Sequence, residues 1–259
     1  MTKLIALDAG HGLFTYGKQD PDGIKEWQYN DKVLRAVVKH INDHYTGFKI
    51  MRLDDPTGKV DVPLMTRTNK ADKAKADILV SIHHNANTGK FSSAWGGTET
   101  FVQTPFSANP KSTALAKAIH PKIVKAMGLQ DRGIKPNNLH MTREPDMPSI
   151  LTEGGFMDSS IDIKVMRDDN KLAEQGKAIA EGIASYLKLP KKAVAPTVVK
   201  PAVVKPVEPE KKTIYMLFRE KDGKGWEYLG STKTYKESSD RALWHVANGY
   251  AVQIKTRLV

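Results

Sequence analysis

The residue types able to do chemistry gather in four short segments of the 259-residue chain. His11 lies in L-D-A-G-H-G, Glu26 in G-I-K-E-W-Q-Y-N, His83 and His84 in S-I-H-H-N-A, and Glu153 in L-T-E-G-G-F. A hydrolytic zinc centre takes three protein ligands from histidine and carboxylate and leaves one position for water. His11, Glu26 and His83 satisfy that count, and Glu153 is then a carboxylate free to serve the water. There is no cysteine, so any metal must rest on imidazole and carboxylate. Glu153 follows an apolar run and precedes two glycines. Such a place desolvates a carboxyl, raises its pKa and suits proton transfer. On local sequence alone a capping or loop glutamate is the competing reading.

These residues need a scaffold, and the sequence alternates strand and helix signals. Strands are expected at Lys3–Leu7, Phe48–Leu53, Ile78–His83, Thr98–Val102, Leu139–Thr142 and Ser149–Glu153. Helices are expected at 31–45, 62–76, 110–127 and 172–187, from apolar stripes such as Val33, Leu34, Val37, Val38 and Ile41. The alternation predicts a three-layer α/β/α sandwich on a mainly parallel, twisted sheet. In such folds chemistry collects where strands end. His11 follows the first strand, His83 ends a later one, and Glu26 is read in a loop just ahead of a helix. Neighbouring histidines on a strand face opposite ways, so only one of His83 and His84 can serve a given ion.

The end of the chain differs in kind. From Pro190 to Lys212 prolines recur among Ala, Val and Lys, which predicts an extended tether. Domains are therefore expected at 1–189 and 213–259, with a linker at 190–212. The last segment is read as a small α+β module. Its strands are expected at 214–218, 226–229 and 251–257 and its helix at 235–247, after a turn at Asp222-Gly223. Trp226 and Trp244 are expected in its core. Residues 1–190 hold 26 basic and 22 acidic side chains, against 14 and 7 in residues 191–259. The basic tail favours polyanions. Hydrophobic residues make up 40% and mean hydropathy is -0.45, ordinary for a globular chain. No apolar run approaches the roughly 18 residues of a membrane span, and Leu4–Leu7 is too short for an export signal. Phosphate-loop, dinucleotide and serine-nucleophile motifs are absent.

The four segments, in this order, resemble the zinc-dependent N-acetylmuramoyl-L-alanine amidases of the amidase-3 family, from Thr2 to about Leu189. The resemblance implies one Zn2+ held by His11, Glu26 and His83, the last being the histidine of S-I-H-x-N-A. It implies Glu153 as acid–base residue, from the pattern P-x-x-L-x-E-x-G-F. The bond cut would be the amide between the lactyl group of N-acetylmuramic acid and L-alanine of the stem peptide. Arg67, Asn85, Arg132, Lys135 and His140 become candidates for substrate contact, with Arg132 and Lys135 in an R-G-x-K element. Salt bridges are the alternative for Arg67 and Arg132. Asp8 is expected to orient His11 or to cap a loop. A bulky residue usually follows the glutamate, and Gly154 in its place is expected to widen the cleft.

Without an export signal the chain resembles a phage endolysin, made in the host cytoplasm and acting on the wall after membrane breach. A mother-cell autolysin would look the same. Peptidoglycan is the expected partner, with anionic wall polymers at the C-terminal module, no specific nucleic acid and no membrane insertion. Two alternatives stay open. One is a zinc peptidase or carboxypeptidase, against which stands the missing H-x-x-E pair, since Phe14 stands three after His11. The other is a non-catalytic basic protein that binds wall polymer.

Overall fold

Strand β1 (Lys3–Ala9) lies between β2 (Phe48–Arg52) and β3 (Ile78–Asn85), and all three run parallel. Beyond β3 come β6 (Ser149–Phe156), β4 (Thr98–Gln103) and β5 (Asp131–Asn137), giving a sheet ordered β2-β1-β3-β6-β4-β5. Only the β6/β4 pairing is antiparallel. The computed structural model describes residues 2–192, 213–220, 226–232, 242 and 251–258. The chain divides into two units, residues 1–193 and 194–259.

Strand alternation sorts the apolar residues onto the two faces of the sheet. Ile5, Leu7, Ala9, Ile78, Val80 and Ile82 enter the larger core, with helices α1 (Glu26–His44), α3 (Pro110–Met127) and α6 (Asp169–Leu187). Ala6 and Leu79 point the other way, toward Ala71 of α2 (Leu64–Lys73) and Met141 of α4 (His140–Arg143). The short helix α5 (Asp162–Met166) follows β6. Val33, Leu34, Val37 and Ile41 of α1 are buried, each contributing about 1.5–3 kcal/mol by leaving water. Helix α3 starts where the Asn109 side chain accepts from Ser112 N and Pro110 takes the first turn.

Three local expectations are corrected. Leu139–Thr142 contains a helical turn, not a strand: Thr142 N donates to Leu139 O, and buried Met141 packs under the sheet. So short an apolar stretch has no decisive period. Strand β5 gave no signal, because an edge strand of sequence D-R-G-I-K-P-N carries a single large apolar residue. Glu26 opens α1 and is not in a preceding loop. Lys25 N donates to Gln28 Oε1 at 3.0 Å, which starts the helix earlier than its apolar stripe.

In the second unit β7 (Thr213–Glu220) pairs antiparallel with β8 (Glu227–Thr232) and β9 (Ala251–Leu258). Leu217 is buried, but Trp226 is 49% exposed and fills no core. It stands ahead of β8, outside the paired residues. The helix expected at 235–247 (apart from residue 242), the turn at Asp222-Gly223, Trp244 and linker residues 193–212 lie outside the described residues.

Candidate active site

Strands β1 and β3 end side by side, with Ala9 opposite Ile82, so the residues just beyond them meet at one edge. His11 has φ 67°. That left-handed conformation costs a non-glycine residue on the order of 1–3 kcal/mol. Arg67 holds it, with Nη2 donating to the His11 carbonyl at 3.1 Å. Gly10 allows the close approach: a Cβ there would fall 2.0 Å from the His83 ring. Glu26, at the start of α1, sits where a helix N-terminus favours a carboxylate.

The three side chains converge. Glu26 Oε2 lies 3.2 Å from His11 Nε2, and Glu26 Oε1 lies 2.9 Å from His83 Nδ1. All three donor atoms fall within 4.8 Å of one another. A tetrahedral ion with ligands at about 2.0–2.1 Å separates them by roughly 3.4 Å, so two imidazoles and one buried carboxylate fit zinc in number, type and spacing. Burial alone would raise the Glu26 pKa. Hydrogen bonds from His11 and His83, and their charge, outweigh it and hold the carboxyl well below its usual value.

Glu153 is the neighbour of His83 across β3/β6 and of Glu99 across β6/β4. Its Oε2 is buried with no hydrogen-bond partner. Burial first, then the charges of Glu26 and Glu99, push its pKa well above the usual carboxyl value, with Lys18 opposing. His11, His83, Glu153, Asn85, His140 and Lys18 line one cleft of about 370 Å³, over an apolar floor that includes Leu64, Phe101 and Leu151.

The remaining candidates scatter. Asn85 and His140 line the cleft, and His140 Nε2 lies 3.2 Å from Thr68 Oγ1. Arg67 is not available to substrate. It is 1% exposed and spends its guanidinium on Asp8, Asp61 and the carbonyls of Ala9, His11 and Val62. Asp8 does not accept from the His11 ring. It accepts from Arg67 Nη1 and Ser81 Oγ, each at 2.7 Å, and reaches His11 only through Arg67.

Arg132 and Lys135 converge on Glu99 Oε2 at 2.8 and 2.6 Å, and Asn85 Nδ2 donates to Glu99 Oε1 at 2.7 Å. Sequence reasoning missed Glu99, a polar residue in the alternating strand T-E-T-F-V-Q. Its signal was the pair of cations at Arg132 and Lys135, which need an anion. Gly154 does not widen the cleft. It faces away from Glu153's side, where a Cβ would fall 2.3 Å from Gln175 Nε2 and 2.7 Å from His84 Nε2. His84 lies on that same side, in a buried setting that pulls its pKa down to about 4.

A mainly parallel α/β sandwich with a His–Glu–His cluster at its strand ends has the build of a metal-dependent hydrolase. Residues 5–185 match the Amidase_3 family, N-acetylmuramoyl-L-alanine amidase, and the chain belongs to that family of hydrolases. It is 35% identical over 196 residues to the endolysin of Bacillus phage SPP1, covering 74% of this chain and 69% of that one. It is 30% identical over 182 residues to the N-acetylmuramoyl-L-alanine amidase LytC of Bacillus subtilis. That match covers 70% of this chain and 35% of LytC, about a third of the longer protein. The catalytic domain of CwlV, an N-acetylmuramoyl-L-alanine amidase of Bacillus (Paenibacillus) polymyxa, superposes with TM-score 0.65 at 29% identity. It covers 73% of this chain and 99% of that domain. The family is generally zinc-dependent, and His11, Glu26 and His83 form a possible site for the ion. Family membership favours neither the carboxypeptidase nor the non-catalytic alternative. No helix among the described residues is long and apolar enough to cross a membrane.

Proposed function

We propose that this protein hydrolyses the amide joining the lactyl group of N-acetylmuramic acid to L-alanine in peptidoglycan, with one zinc ion held by His11, Glu26 and His83. The observation that carries the reading is the His–Glu–His cluster, whose two histidines share a cleft with Glu153 and its buried, unpartnered oxygen. When bound, zinc brings the pKa of water down to about 7 and polarises the scissile carbonyl. Glu26, held well below the usual carboxyl range, stays anionic at neutral pH and keeps the two imidazoles aimed inward. Glu153 takes a proton from the attacking water and hands it to the nitrogen of L-alanine as the C–N bond breaks. The products are a lactyl carboxylate and a free amine. A carboxyl with a raised pKa is suited to both halves of that transfer.

Asn85 and His140, both in the cleft wall, are the substrate contacts in this reading. Arg132 and Lys135 act at one remove, by balancing Glu99 opposite Glu153. The basic second unit binds anionic wall polymers and keeps the first unit on an insoluble substrate. The similarity to the phage SPP1 endolysin supports synthesis in a host cytoplasm and action on the wall after membrane breach.

The test is digestion of purified peptidoglycan by wild type and Glu153→Ala, with zinc assayed in both and products read by mass spectrometry. Stem peptides beginning with L-alanine, freed only by wild type while both proteins hold zinc, are expected. Cleavage at another bond, or a wild type without zinc, overturns the reading.

A further inference from the structure

The side of the site away from the cleft holds polar groups that the reaction does not use. His84, Asn30 and Gln175 are 1%, 0% and 0% exposed, and they come from β3, α1 and α6. His84 Nδ1 lies 2.8 Å from Asn30 Oδ1, and His84 Nε2 lies 3.1 Å from Gln175 Oε1. Asn30 Nδ2 donates to the Gly10 carbonyl at 3.1 Å and to Glu26 Oε1 at 3.3 Å. The His84 backbone N–H also reaches Glu26 Oε1, at 3.3 Å.

The direction of these hydrogen bonds follows by elimination. Asn30 Nδ2 faces two acceptors, a carbonyl and a carboxylate, so its amide cannot be turned round. Its Oδ1 must then accept, and His84 Nδ1 must carry the hydrogen. In a neutral ring Nε2 is left as an acceptor. Yet the Gln175 oxygen faces Nε2 while Gln175 Nε2, also buried, has no partner. Amide oxygen and nitrogen have the same shape and are assigned from such networks. Turning the Gln175 amide over replaces an acceptor–acceptor contact with a hydrogen bond and gives the orphaned N–H a partner. Donation then runs one way: Gln175 to His84, His84 to Asn30, Asn30 to Glu26.

We propose that Gln175, His84 and Asn30 form a one-way hydrogen-bond relay that fixes the Glu26 carboxylate for the metal, with His84 as a positioning residue. Two donors from this relay, Asn30 Nδ2 and the His84 backbone, converge on Glu26 Oε1. They leave Oε2 directed to His11, 3.2 Å from its Nε2. Gly154 belongs to the same device, because any side chain there would displace the Gln175 amide from His84. The relay rests on the zinc reading and deepens it. Partners behind ligating groups typically change metal affinity 10–100-fold when removed.

The test uses the full chain. Zinc dissociation constants are measured by chelator competition for wild type, His84→Leu and His84→Asn, with circular dichroism as the check on folding. Asparagine returns a donor near the Nδ1 position and leucine returns none. Weakening of about 10–100-fold is expected in His84→Leu, with most of the affinity restored in His84→Asn. Imidazole 15N shifts of wild type need no substitution, and the neutral Nδ1–H tautomer is expected for His84. Wild-type affinity in a folded His84→Leu, or an Nε2–H tautomer or imidazolium in wild type, overturns the relay. A wild type that takes up no zinc would instead sink the metal reading on which it rests.

Discussion

Replacing Glu153 by glutamine keeps the shape of the side chain and removes its acid, which separates two consequences of its environment. Burial and the charges of Glu26 and Glu99 raise the Glu153 pKa in the folded chain. A raised folded value means that the native state binds a proton the unfolded chain has begun to lose above about 4.3. The contribution of Glu153 to stability is therefore complete below that pH and is lost as pH rises toward the folded value. While the native acid stays protonated, the loss is about 1.4 kcal/mol per pH unit above the unfolded value.

For a unit of about 150–250 residues this corresponds to roughly 3–6 °C in Tm per pH unit over which the acid keeps its proton. Metal-free wild type and Glu153→Gln should melt together near pH 4, with the variant pulling ahead as pH rises above the unfolded value. Glu26 is held low and acts in the opposite sense, stabilising above its unfolded value and losing that contribution as pH falls. Both proteins carry it, so the difference between the two melting curves isolates Glu153. The zinc-loaded variant should lose about 10²–10⁴ of its amidase rate while retaining the metal. A Tm gap that is flat, or that narrows from pH 4 to pH 6, would refute the argument that Glu153 is a destabilised acid.

Arg67→Met removes the cation of a buried pair and strands Asp8, whose side chain is 1% exposed. Denaturant unfolding should show a loss of about 3–5 kcal/mol, and near-wild-type stability would show that the cluster under His11 carries no weight. Residues 1–193 expressed alone should retain zinc and hydrolyse soluble muropeptides at the full-chain rate. They should clear suspensions of whole walls more slowly, and equal clearing at every salt concentration would remove the targeting role of the second unit.

Much of the site was legible because its residues sit at strand ends and within glycine-flanked turns. His11, Glu26 and His83 converge, and His11, His83 and Glu153 line one cleft. Alternation along β3 alone separates His84 from His83, and the fold sends His84 into the α1–α6 side. What sequence could not carry was the pairing of charges across distance. Arg67 and Asp8 are 59 positions apart and looked like two independent candidates. Together they form one buried clamp. Arg132 and Lys135 pointed to an anion, but nothing local identified it as Glu99, 33 positions earlier than Arg132. Gly154 looked like room in the cleft, because the side chains filling that space come from β3 and α6.

Glu26 and Glu153 show why carboxylates of one site separate in role. Both are shielded from water, and desolvation raises both pKa values. Glu26 then meets donors from every direction: His11, His83, the Asn30 amide and the His84 backbone. Glu153 meets carboxylates instead, with Glu99 directly across the antiparallel β6/β4 pair and an Oε2 that no donor reaches. The single antiparallel pairing in that sheet is thus what brings a like charge opposite Glu153. Arg132 and Lys135 partly neutralise that charge, which keeps Glu99 ionised opposite Glu153. A carboxylate surrounded by donors stays charged and can hold a cation, while one surrounded by acids is the stronger base, taking up a proton that it can then hand on.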